Sequence, residues 1–266
     1  MSCLADQRGK RTLLVLTLNE IDGVKVILPQ VDRKLFDQVL IVDGGSTDGT
    51  IEWCRDNQFE VYIQRRPGIR FAYLEVLPML EGDVIVTMSP DGNCPPEAIP
   101  LLLEKMQAGY DLVIGSRYLG AATSQDDGIV TAIGNWLFTR TVNLLHGGRY
   151  TDVMVIYRAF RRSLIYDLEL DKDEPYILPE KLFRTVISWE PLMSVRAAKR
   201  GLKIGEVPVG EPPRIGGERK LQVLKWGAAY YFQFWRELWH WRQAPEATRW
   251  QLASHAETLD GEQSET

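Results

Sequence analysis

Ile41-Val42-Asp43-Gly44-Gly45-Ser46-Thr47-Asp48-Gly49-Thr50 sets the reading of the whole chain. The stretch continues the run Gln38-Val39-Leu40 and leads into a helix start at Thr50. An acidic residue at the end of a buried strand, followed by a glycine-rich turn, is where open α/β sheets place nucleotide contacts. A second acidic loop, Met88-Ser89-Pro90-Asp91-Gly92-Asn93, follows another apolar strand, Asp83 to Thr87. Two such loops imply a site for a nucleotide joined to a group that a metal must hold.

Outward from these loops, strands and helices alternate. Strands are predicted at Thr12–Thr17, Phe36–Val42, Glu60–Gln64, Asp83–Met88 and Asp111–Gly115. Helices are predicted at Glu20–Leu28, Thr50–Asn57, Arg70–Leu80 and Pro95–Ala108. The βαβα order implies a mostly parallel sheet with helices on both faces. The second half is less regular. It reads as a polar loop to Gly128, a helix Ile129–Leu145, a strand Val153–Arg158 and an exposed acidic loop Leu168–Pro179. A helix Glu180–Arg200 broken near Pro191, a strand Lys203–Val209 and a loop to Lys220 follow. Residues 221–242 form an amphipathic aromatic helix, and the polar segment from 243 reads as a disordered tail. This divides the chain into a main domain (1–220), the aromatic helix (221–242) and the tail (243–266).

Composition narrows the function classes. The net charge of −5 excludes a general nucleic-acid binder, whose affinity comes from phosphate neutralisation. The cysteines Cys3, Cys54 and Cys94 are too scattered for a disulfide framework and fit a reducing compartment. The histidines His146, His240 and His255 have no zinc-ligand spacing. No apolar run reaches the ~18 residues of a spanning helix, and Leu13–Leu16 is too short for a signal-peptide core. The expected location is cytoplasmic, with contact at the membrane surface only.

The first strand ends Thr17-Leu18-Asn19-Glu20, not in Gly-x-Gly-x-x-Gly, which argues against a dinucleotide-binding fold. No phosphate-binding P-loop is present, and a nucleotidylyltransferase would need a glycine-rich loop here. Asp43 also has a purely local reading, as a carboxylate capping its turn.

Taken in order, Thr17-Leu18-Asn19-Glu20, Val42 to Thr50, the Asp91 loop and Gly115-Ser116-Arg117 resemble family 2 glycosyltransferases of the GT-A fold. Within that family the likeness is to polyprenyl-phosphate sugar transferases of the dolichol-phosphate mannose synthase type. It spans about residues 10 to 220. The resemblance implies a nucleotide-binding set of Thr17, Asn19, Glu20, Asp43, Ser46, Arg70, Ser89 and Pro90. It implies Mg²⁺ or Mn²⁺ on Asp91 and Asn93, because the leaving nucleoside diphosphate needs a hard cation with oxygen ligands. The family's usual Asp-x-Asp has Ser89 at its first position here, so one carboxylate is missing. Inverting transfer of a hexosyl unit is expected, from a UDP-sugar in preference to GDP-mannose.

The acceptor depends on whether a base is present. A hydroxyl acceptor needs a carboxylate to take its proton, whereas a phosphate is already a nucleophile. Glu190 is the base candidate, and a structural role is its alternative. Arg117, Arg158, Arg214, Arg219 and Lys220 suit a diphosphate or an acceptor phosphate, since guanidinium forks match phosphate geometry. Asp91, Arg117 and Glu190 are thus the catalytic candidates, and the Gly216-Gly217 loop is a candidate lid. Polyprenyl phosphate is the favoured acceptor. A hydroxyl acceptor in surface-polysaccharide synthesis, a non-catalytic nucleotide-sugar-binding protein and a homo-oligomer stay open. The helix 221–242, with Trp226, Tyr230, Tyr231, Phe232, Phe234, Trp235 and Trp239 beside Lys225 and Arg236, suits the bilayer interface or packing within the protein.

Overall fold

The computed structural model describes residues 9–216 and 223–240. Its centre is a seven-stranded sheet in the order β3-β2-β1-β4-β6-β5-β7. Strand β1 (Arg11–Thr17) is buried along its whole length. It pairs in parallel with β2 (Gln38–Asp43) on one side and β4 (Val84–Met88) on the other. Burial on both faces explains why Thr12 to Thr17 reads as a run and not an alternation. β3 (Glu60–Ile63) extends the sheet beyond β2, and β5 (Leu112–Ser116) pairs in parallel with β7 (Ile204–Pro208). Between β4 and β5 lies β6 (Arg158–Arg161), antiparallel to both.

Two apolar layers cover the sheet. Leu13, Val15 and Ile41 point toward α1 (Ile21–Ile27), α2 (Thr50–Asp56) and α4 (Ile99–Gln107). Leu14, Leu16, Leu40 and Val42 point the other way. That face is covered by α3 (Ile69–Val76), α5 (Ile129–His146), α6 (Leu164–Asp167), α8 (Glu190–Arg200) and α9 (Val223–His240). α7 (Glu174–Phe183) packs on α9.

The second half departs from the sequence reading in three places. The strand expected at Val153–Arg158 starts only at Arg158. The Arg158 guanidinium takes the carbonyls of Val153 and Val155, which are then not free for a ladder. The loop expected at Leu168–Pro179 is part core and part helix: Leu168, Leu170 and Tyr176 are fully buried, and α7 begins at Glu174. Pro175 sits in its first turn, where a missing N–H loses no partner. Pro179 lies inside the helix, and the Pro175 carbonyl its N–H would have bonded accepts from Gln233 Nε2 at 3.1 Å. The expected single helix Glu180–Arg200 is two helices. Arg184, at φ 50°, ends α7, and α8 restarts at Glu190 with Pro191 in its first turn.

The aromatic helix is integrated into the fold. Ala229, Tyr230 and Phe234 join the main core. Glu237 pairs with Arg196 of α8 (Nε···Oε2 2.9 Å), both fully buried. Among the described residues no helix is long and apolar enough to cross a membrane.

Candidate active site

β1, β2 and β4 run parallel, so the loops that follow them gather at one end of the sheet. The chain moves from β1 outward to β2 and β3, then returns to place β4 on β1's other side. Such a switch point is where open α/β sheets form a crevice.

The loops after β1 and β2 are locked together. Asp43 Oδ1 accepts the N–H groups of Gly45 (2.8 Å) and Ser46 (2.6 Å). Asp43 Oδ2 accepts the hydroxyls of Thr17 (2.7 Å) and Ser46 (2.7 Å). Asn19, held at φ 51°, donates its N–H to Ser46 Oγ and accepts the N–H of Thr47 on its side chain. Glu20 N–H donates to Thr50 Oγ1 at 3.0 Å. Asp48 accepts from the Ile21 and Thr50 N–H groups and the Thr50 hydroxyl. Burial pushes the Asp48 carboxyl up, but these bonds outweigh it and hold the carboxyl below its usual value. The acids of the glycine-rich loop thus build the crevice wall by capping their own turns.

The Asp91 loop faces that wall. α1 approaches it so closely that a Cβ on Gly23 would lie 2.3 Å from the Pro90 carbonyl oxygen. Asp91 Oδ1 accepts the Asn93 N–H at 3.1 Å, and Oδ2 accepts Arg214 Nη2 at 2.6 Å. Arg214 Nη1 reaches Glu20 Oε1 at 2.9 Å, so one guanidinium spans the two loops. Asn93 donates its amide N–H to Asp126 and leaves a buried Oδ1 with no hydrogen-bond partner. A carboxylate beside an unpartnered amide oxygen is an oxygen donor set that suits a hard cation. Among the described residues no group of three or more His, Cys, Asp or Glu side chains could hold a metal, so a cation here would need further oxygens from outside the side chains. Ser89 and Pro90 sit on the same loop.

Arg117 follows β5 at the same end of the sheet. It holds Asp152 through Nε (2.6 Å) and Nη2 (3.1 Å), while Nη1 lies 3.5 Å from both Asp127 and Glu211. Burial opposes its charge, but Asp152, Glu211 and Asp127 outweigh that and keep it protonated. Glu206 fixes Asp152 by accepting the N–H groups of Thr151 and Asp152. Burial raises the Glu211 carboxyl, partly offset by Arg117. The sequence reading missed Asp126, Asp127, Asp152, Glu206 and Glu211. The adjacent acids Asp126-Asp127 were the one local signal, and the others are brought in by the segment between α5 and β6, by β7 and by the segment after β7.

Three expected site residues have other partners. Arg70 is buried and pairs with Asp173 (2.7 Å) and Glu180 (2.8 Å), tying α3 to α7. Arg158 is fully buried and donates to the backbone carbonyls of Val153, Val155 and Glu190. Glu190 is buried, with its carboxylate accepting the Tyr73 hydroxyl (2.5 Å) and the Ser188 hydroxyl. In each case the side chain is drawn into packing that a sequence pattern does not report. Arg219 and Lys220 lie outside the described residues, as do the tail from 243 and the ends of the 221–242 segment.

This sheet, with an acidic loop after β4 at the switch point, has the GT-A arrangement. The chain matches the model of glycosyl transferase family 2 over residues 12–168. It belongs to that family and is a glycosyltransferase. It is 32% identical to a dolichyl-phosphate hexose transferase of Haloferax volcanii, covering 80% of this chain and 87% of that one. It is 30% identical to an undecaprenyl-phosphate mannosyltransferase of Micrococcus luteus, covering 81% and 93%. Among solved structures, glucosyl-3-phosphoglycerate synthase of Mycobacterium tuberculosis, in complex with Mn²⁺, UDP and phosphoglyceric acid, superposes with a TM-score of 0.58 at 21% identity, covering 88% and 80%.

Proposed function

We propose that this enzyme transfers a hexosyl unit from a nucleoside diphosphate sugar to a polyprenyl phosphate at the cytoplasmic membrane face, with a divalent cation and inversion at the anomeric carbon. The observation that carries the acceptor class is the burial of Glu190. Its carboxylate is engaged by Tyr73 and Ser188 within the packing between α3 and α8. A phosphate acceptor needs no base, so the reaction loses nothing by this. The two relatives named for polyprenyl-type phosphates agree with that acceptor.

Asp91 and Asn93 Oδ1 would hold the cation, which when bound neutralises charge on the leaving diphosphate. The interlocked Thr17–Glu20 and Asp43–Thr50 loops form a rigid wall for the nucleoside. Arg117 is committed to Asp152, Asp127 and Glu211, so its part is to hold the loops after β5 and β7 together at the edge of the site. Binding of UDP and of GDP, each with and without Mn²⁺, tests this reading by calorimetry. One nucleotide should bind in a Mn²⁺-dependent way, and Asp91→Asn should lose that dependence. No nucleotide binding by folded protein would end the proposal. For the acceptor, Glu190→Gln should keep turnover within about tenfold; a loss of ~10²–10⁴ would favour a hydroxyl acceptor with Glu190 as base.

A membrane location is supported by an apolar face. Ile129 (81% exposed), Ile133, Trp136 and Leu144 (84%) of α5 lie uncovered, as do Ile177, Leu178 and Leu182 of α7 and Trp235 and Trp239 of α9. α9 packs on both other helices, which makes the three contiguous in the fold. Arg140, Lys181, Arg184 and Lys225 are exposed on the same elements and suit anionic headgroups. α5 starts just after Asp126-Asp127, at the edge of the site. Replacing Trp136 and Trp239 by Ser should weaken sedimentation with anionic vesicles without lowering UDP affinity. Unchanged sedimentation would remove this surface from the proposal.

A further inference from the structure

We infer that Arg214 is the resident cation of the Asp91 carboxylate, and that it must give up this place before the donor's metal ion can bind. The inference rests on the proposed role of Asp91 as a cation ligand. Asp91 and Glu20 are both buried. Two carboxylates side by side in such a place need a positive partner. Arg214 provides it, at 2.6 Å from Asp91 and 2.9 Å from Glu20. With Oδ1 taken by the Asn93 N–H and Oδ2 by Arg214, both Asp91 oxygens are already engaged.

Arg214 is placed by its own segment. The next residue, Ile215, donates its N–H to the Asp91 carbonyl at 2.7 Å. Its side chain lies over Gly92, where an added Cβ would meet Ile215 Cγ1 at 2.9 Å. Gly216, at φ +65°, rests against Asp22, where a Cβ would lie 2.9 Å from Oδ2. The segment is therefore seated on the Asp91 loop with the guanidinium as its polar anchor.

Arrival of a cation and a diphosphate exchanges the partners. Asp91 would then hold the cation, and the freed Arg214 guanidinium would gain an anion that fits its fork geometry. Cation and nucleotide then favour each other's binding, because each removes a contact the other must break. A cation alone has to displace Arg214 with no diphosphate to receive it, so it binds weakly.

The test is titration of Mn²⁺ alone into the full chain, read by the loss of its free-ion electron paramagnetic resonance signal. The titration is repeated with UDP. Wild type, Arg214→Gln, Arg214→Lys and Asp91→Asn are compared. Removing a charge-assisted bond to a buried carboxylate should tighten Mn²⁺ binding about tenfold in Arg214→Gln. Arg214→Lys should fall between, and the gain in Mn²⁺ affinity produced by UDP should shrink in Arg214→Gln. Equal or weaker Mn²⁺ binding by Arg214→Gln, with binding abolished in Asp91→Asn, would overturn the role of Arg214 and leave the metal site standing. Wild-type Mn²⁺ binding by Asp91→Asn would overturn the metal site and the inference with it.

Discussion

Asp43 accepts two N–H groups and two hydroxyls, and it is fully buried. Its work is to hold the shape of the wall. Asp43→Asn would turn an N–H₂ group toward donors, and a stability loss of about 2 kcal/mol is expected from the broken cap, with weaker nucleotide binding as a consequence. Chemical denaturation and calorimetry together check this; normal stability with lost binding would assign Asp43 to direct contact. Gly92, at φ +94° under Ile215, gives a second prediction. Gly92→Ala should destabilise by about 1–3 kcal/mol from backbone strain and speed hydrogen exchange at the Ile215 amide. Asp43 and Asp91 were legible in the sequence because each sits in a short motif whose turn chemistry is local. Asp152 and Glu211 were not, because nothing within a few residues of either announces Arg117. That meeting is a property of the sheet order.

At the scale of elements, the parallel strands were legible and the antiparallel strand β6 was not. β1, β2 and β4 are apolar runs bounded by turn residues, and they fell within a residue or two of expectation. β6 was displaced because Arg158 takes carbonyls that an isolated strand pattern assigns to a ladder. α7 was missed because Asp171, Asp173 and Glu174 read as an exposed loop, while Gln233, 58 residues after Pro175, supplies the Pro175 carbonyl with the donor that Pro179 lacks. The same reasoning redefines Arg70. Arg70→Met leaves Asp173 and Glu180 without their partner between α3 and α7. A loss of about 3 kcal/mol is expected from the unpaired Glu180, with UDP affinity unchanged once folded. Loss of UDP binding at normal stability would return Arg70 to the nucleotide.

For the whole molecule, acid should act through α5 and α9. His146 is buried with Nε2 against the Phe234 carbonyl at 3.1 Å. Burial, and Lys199 nearby, lower its pKa to about 4 from the usual 6.5. A folded value below the unfolded one means the unfolded chain binds the extra proton first. Stability is therefore full above about pH 6.5 and falls between about pH 6.5 and 4, by an amount on the order of 2 kcal/mol. Urea midpoints at pH 7 and pH 5 check this, and His146→Gln should flatten that part of the dependence. The same contact between α5 and α9 bears on how the protein is made. Tyr176, Trp189 and Phe234 belong to one core, yet Phe234 leaves the ribosome well after the other two. Until α9 emerges, Arg196 has no Glu237 and the apolar cluster has an open side. The nascent chain thus carries an unfinished core until α9 emerges, and a chain stopped before Val223 should be a chaperone client that accumulates in inclusion bodies.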